Sequence, residues 1–117
     1  MMAAQFNLDV AGQLHELIPR YNYIVPSFII GELESIWERS RGKTRTAATT
    51  ALKITGLPPL KVKDIPLLEG ERVDDALLRI SPVLCTNDRE LRRRARKLEI
   101  PVIYLRQRKY LAVDGYL

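Results

Sequence analysis

The residues of this chain whose types and spacing could do chemistry are a few carboxylates and one arginine-laden segment. An apolar run, Val83-Leu84-Cys85, stops at Thr86-Asn87-Asp88; a strongly basic amphipathic stretch follows, and a second apolar run begins after Pro101. That order reads as a strand–helix–strand unit, with Asp88 where the first strand hands over to the helix. In open α/β sheets, sites collect at that edge. A carboxylate beside a wall of cations points to metal-dependent chemistry on a polyanion.

Helical rows sort the other acids. Phe28, Glu32 and Ile36 form one row, so Glu32 stands beside an apolar stripe and needs either an arginine partner or a metal there. Glu34 and Glu38 form another row and read as solvated. In a short helix, Val73, Leu77 and Ile80 make the apolar stripe. Asp74 shares a row with Leu78, and Asp75 is placed to pair with Arg79. Both aspartates also stand in a first turn, where the helix dipole favours a carboxylate without any function. Asn87 followed by Glu90 fits a capping box, which leaves Asp88 to point across the strand ends. Acids on three separate elements near one sheet edge suit Mg²⁺ or Mn²⁺, which take a few carboxylates and keep several waters.

The basic segment carries Arg89, Arg92, Arg93, Arg94, Arg96 and Lys97 against a stripe of Leu91, Ala95 and Leu98, and Arg106, Arg108 and Lys109 follow the last strand. A solvated face is the bland explanation. Phosphate contact is the one this density of cations favours. His15 has no His or Cys companion for zinc, and Cys85 reads as a buried small hydrophobe. There is no Gly-rich phosphate loop and no Gly-x-Ser-x-Gly. Trp37 and the five tyrosines are scattered, without the paired aromatics of an RNA-stacking sheet.

The elements that must position these residues alternate. Helix is expected over 7–19, 28–40 (capped by Ser27), 44–55, 73–80 and 88–98, and strand over 23–26, 60–65, 83–86 and 102–105, with 41–46 a polar hinge. This is an α/β domain with a parallel sheet. The 117 residues argue for one domain, and a hydrophobic content of 46% is enough for a core. A net charge of +5 favours an acidic partner. One cysteine excludes an intramolecular disulfide and fits a reducing compartment. With no membrane-length apolar run and no signal-peptide pattern, an intracellular, cytoplasmic protein is expected.

With Glu32, Asp74-Asp75 and Thr86-Asn87-Asp88 lined up, the chain resembles a PIN domain, and is most like archaeal members akin to the nuclease of the small-subunit rRNA-processing branch. The likeness runs through residues 4–9, 25–33, 73–78 and 85–111. It implies a three-layer α/β/α sandwich with a central parallel sheet, over a single domain spanning 1–117. It also implies a Mg²⁺- or Mn²⁺-dependent endoribonuclease acting on single-stranded or structured RNA, with rRNA processing as one role and a homodimer as one assembly. By resemblance Glu32, Asp74 and Asp88 carry over as catalytic metal ligands, with Asp75 a lesser candidate ligand. Thr86 and Asn87 form the active-site turn, and Arg89, Arg92, Arg93, Arg96, Arg106 and Arg108 contact RNA. The chain departs from the family at its start, which matches just after the family's first strand and its Asp-Thr-Asn. The central first strand is thus expected to be absent, either because the true start lies upstream or because the domain is degenerate, and activity is expected to be impaired. An RNA-binding or scaffold module without chemistry, and a toxin-type RNase of a toxin–antitoxin pair, are the rival expectations.

Overall fold

The structure, a computed structural model, describes residues 10–19, 21–107 and 110–117. The expectations for the first strand, for helix over 7–9 and for Arg108 lie outside the described residues. The chain divides into two compact units, with the boundary between Pro66 and Leu67.

The first unit runs α1 (Val10–Leu17), β1 (Tyr23–Pro26), α2 (Ser27–Arg39), α3 (Gly42–Thr55) and β2 (Leu60–Lys63). The two strands lie parallel, in register from Tyr23↔Leu60 to Pro26↔Lys63, because parallel neighbours need a long crossover and α2–α3 supplies it. Leu14, Ile18, Leu33, Ala48 and Ala51 are buried apolar residues among those described in this unit. Both buried residues of α3 are alanines, small enough to let the helix pack closely.

Three expectations are corrected here. Ser27 does not cap α2: Pro26 holds the N-cap position without a side-chain bond. The Ser27 hydroxyl instead bridges to the end of β2: its single proton lies within reach of both Asp64 Oδ1 (3.1 Å) and the Ile65 carbonyl (3.2 Å), and its oxygen accepts from the Ile65 amide (3.0 Å). These bonds draw Asp64 and Ile65 out of the ladder, so β2 ends at Lys63 rather than at residue 65. The polar hinge is shorter than expected, since α3 already begins at Gly42, whose φ of +63° turns the chain from one helix into the next.

The second unit runs α4 (Val73–Ile80), β3 (Leu84–Cys85), α5 (Arg89–Lys97), β4 (Val102–Arg106) and β5 (Tyr110–Asp114). β3 and β4 are parallel, pairing Leu84↔Val102 and Cys85↔Ile103, with α5 as their crossover. Leu84, Leu91, Ala95 and Val102 form a buried cluster, and Leu77, Leu78, Ile100 and Tyr104 pack around it. Burying a side chain such as Leu91 contributes about 1.5–3 kcal/mol.

The sheet is not purely parallel. β5 returns antiparallel to β4, from Val102↔Asp114 to Arg106↔Tyr110. Leu98, read as part of the apolar stripe, is the exposed C-cap of α5. Cys85, expected as a buried small hydrophobe, keeps accessible surface, yet its thiol is packed closely enough that desolvation pushes its pKa up to about 11. It alternates onto the face opposite Leu84, away from α5.

Candidate metal and nucleic-acid site

Asp88 sits where β3 gives way to α5, and local hydrogen bonding fixes it there. Thr86 Oγ1 accepts from the Asp88 amide at 3.2 Å, and Asp88 Oδ1 accepts from the Leu91 amide at 2.9 Å. Asp88 is therefore the N-cap of α5. The expected capping box of Asn87 and Glu90 is not formed, because the helix begins one residue later and Leu91 becomes its third residue. Glu90 bonds Arg93 instead, and that guanidinium holds its carboxyl below the ordinary range. Capping engages one Asp88 oxygen and leaves Oδ2 available for a ligand.

On α4, Asp74 makes no hydrogen bond or ion pair among the described residues, whereas Asp75 pairs with Arg94 of α5. The expected Asp75–Arg79 pair is not formed. Arg79 turns the other way and grips Glu71 through Nε and Nη2, both at 2.9 Å. Glu71 also accepts from the Leu68 amide at 3.0 Å, a closed loop that Asp75 cannot match. Glu32, expected beside the buried stripe, is exposed. Phe28 and Ile36 on its row are themselves only half-buried, so no desolvation demands a partner.

The basic helix is largely self-neutralised. Arg92 Nε meets Asp114 Oδ2 at 2.9 Å, and Arg96 Nε meets Asp114 Oδ1 at 3.2 Å. The Arg92 guanidinium also lies 3.7 Å from the centroid of the Tyr104 ring. With Arg93 on Glu90 and Arg94 on Asp75, only Arg89 and Lys97 of this helix have no ion pair among the described residues. Arg106 is exposed at the end of β4. Sequence reasoning missed Asp114, which lies 22 residues from Arg92, beyond the reach of any helical spacing rule.

No three His, Cys, Asp or Glu side chains come together as a metal-holding group among the described residues. The donors are nonetheless of the right kind. Asp74 and the free oxygen of Asp88 are hard carboxylate ligands, and Mg²⁺ is commonly held by one or two carboxylates with phosphate and water completing the shell. Among the described residues, no helix is long and apolar enough to cross a membrane.

Comparison with known proteins agrees with this architecture. A family profile described as "PIN like domain" matches residues 1–108. The chain is 33% identical over 106 residues to Ribonuclease VapC9 of Archaeoglobus fulgidus, covering 91% of this chain and 76% of that protein. It is also similar in fold to the solved PIN domain endonuclease Utp24, with a TM-score of 0.75 and 20% identity, over 99% of this chain and 85% of that one.

Proposed function

This chain belongs to the PIN-like domain family, and on that premise we propose that it is a divalent-metal-dependent endoribonuclease acting on single-stranded RNA. The observation that carries the reading is the Asp88 turn. It is a carboxylate at the carboxyl end of a parallel strand, its backbone held by Thr86 and its side chain by its own cap bond, with one oxygen left over. A relative by sequence is a ribonuclease. The resemblance to Utp24 bears on the fold and leaves rRNA processing as one candidate setting.

Asp88 and Asp74 would hold Mg²⁺ or Mn²⁺ in this reading, and Glu32, in the first unit, is a candidate ligand by family resemblance alone. A divalent ion there would lower the pKa of a bound water and offset charge on the phosphate. The chain's own contribution is orientation. The Thr86 contact fixes the Asp88 backbone and the cap bond restricts its side-chain rotamer, and small displacements of a catalytic group cost rate heavily. Asp75 is a weaker candidate ligand, since Arg94 already occupies it. Arg89 and Lys97, with no internal ion pair, are the cations of α5 best placed to meet RNA phosphates. Arg92 and Arg96 would have to release Asp114 first.

The test is Mn²⁺-dependent cleavage of a labelled single-stranded RNA by the wild type and by Asp88→Asn. Asparagine caps a helix about as well as aspartate, so the substitution removes charge and keeps the turn. Loss of cleavage with RNA binding intact supports the proposal. Binding without cleavage by either protein favours the RNA-binding module instead.

A further inference from the structure

Beyond Arg89 and Lys97 of the arginine helix, free positive charge collects at a second place in this protein. All five ion pairs among the described residues fall in the second unit. In the first unit, Arg39, Arg41, Lys43 and Arg45 follow one another at alternate positions through the α2–α3 connection. None of them makes an ion pair among the described residues. They outnumber Glu34 and Glu38 on the neighbouring face of α2. Trp37 stands among them with 38% of its surface exposed, and the Arg45 guanidinium lies over its ring, 3.7 Å from the centroid.

We propose that the Trp37–Arg45 stack is a platform for a base of single-stranded RNA, with Arg39, Arg41 and Lys43 contacting the flanking phosphates. Aromatic rings and guanidinium planes are the surfaces on which unpaired bases stack, and a basic surround that tracks the backbone is their usual companion. A guanidinium lying flat on an indole extends the stack and carries charge into it. The backbone is open at the same place. A side chain at Gly42 would meet nothing within 4 Å, and α3 starts there with no side-chain cap, so its first amides are free to face a phosphate. The inference rests on RNA being the substrate, and it adds a binding surface wholly within the first unit.

Trp37 is the only tryptophan of the chain, so its fluorescence reports on this surface alone. The experiment titrates the full chain with a 12-nucleotide oligouridine in EDTA, which separates binding from any metal-dependent cleavage. Trp37 emission is followed beside the anisotropy of the labelled oligonucleotide. The expected result is saturable quenching at the same midpoint as the anisotropy change, with no quenching by a duplex RNA of equal length. Trp37→Ala is expected to weaken anisotropy-detected binding about 10-fold or more, Trp37→Phe far less, and Lys43→Gln to lower the salt dependence by about one counterion. Circular dichroism checks that each variant is folded. No binding, binding with Trp37 emission unchanged, equal quenching by duplex, or wild-type affinity in folded Trp37→Ala would each overturn the proposal. A protein partner on this surface would produce one of those results. Failure of the nuclease reading shows instead as absence of metal-dependent cleavage, which these titrations do not measure.

Discussion

Arg92 on α5 donates through Nε to Asp114 Oδ2 on β5 at 2.9 Å, and Arg96, one turn on, reaches the other oxygen of the same carboxylate. One acid on the last strand thus fastens two of the helix's cations, and Tyr104 stacks beneath the first. Much of what looks like a nucleic-acid surface in the sequence is internal bracing. Asp114→Asn is therefore expected to destabilise the fold by about 1 kcal/mol, the scale of a partly exposed pair, as read by thermal unfolding. The difference should shrink at high salt. An unchanged midpoint at low salt would show that the two contacts contribute nothing.

Gly115 continues the same corner. Its φ is +105°, and a Cβ there would lie 2.6 Å from Arg96 Nη1. Gly115→Ala must strain the backbone and push the Arg96 guanidinium aside, which loosens its Nε contact with Asp114. A loss of about 1–2 kcal/mol is expected, measured by denaturant unfolding. In combination with Asp114→Asn the cost should be less than additive, because the two substitutions break one contact.

The end of α5 offers the opposite change. The Ile100 amide bonds the Ala95 carbonyl at 2.9 Å and the Glu99 amide bonds the Arg96 carbonyl at 3.0 Å, the two bonds of a Schellman cap. Glycine is the usual residue at its left-handed position, yet Glu99 occupies it with φ +60°. Glu99→Gly should stabilise the protein by about 1 kcal/mol. A fall in the unfolding midpoint would mean that the Glu99 side chain makes a contribution larger than the backbone strain.

Glu71 gives a pH dependence with a definite sign. Its bonds from Arg79, and then from the Leu68 amide, hold its carboxyl below the ordinary range. A carboxyl depressed in the folded state stabilises it above the unfolded value of about 4.3. That contribution disappears as pH falls through the folded value. The unfolding midpoints of wild type and Glu71→Gln should therefore differ at neutral pH and converge as pH is lowered from about 5 to 3. A constant gap across that range would contradict the assignment.

The β3–α5–β4 unit was legible because its signals are local. Two apolar runs bracket an amphipathic basic stretch, and Leu91 and Ala95 face the core at one-turn spacing. β5 was not legible, since the chain reverses through Gln107 at φ +53° amid basic residues, with no Gly or Asn to mark a hairpin. The acids show the same divide. Rows and first turns located Asp74, Asp75 and Asp88 on their elements. Their partners come from 19 residues away for Asp75, and from a one-residue shift in helix start for Asp88. Trp37 looked isolated in sequence, and only the return of α3 brings Arg45 onto its ring.

The central claim is that the Asp88 carboxylate does chemistry beyond capping a helix. The most direct measurement compares Mn²⁺-dependent cleavage of a labelled single-stranded RNA by wild type, Asp88→Asn and Asp88→Ala, with unfolding midpoints taken in parallel. The account predicts metal-dependent cleavage by wild type, its loss in both variants, and a stability loss of about 1 kcal/mol confined to Asp88→Ala. Cleavage at wild-type rate by folded Asp88→Asn would contradict it, leaving Asp88 a cap alone.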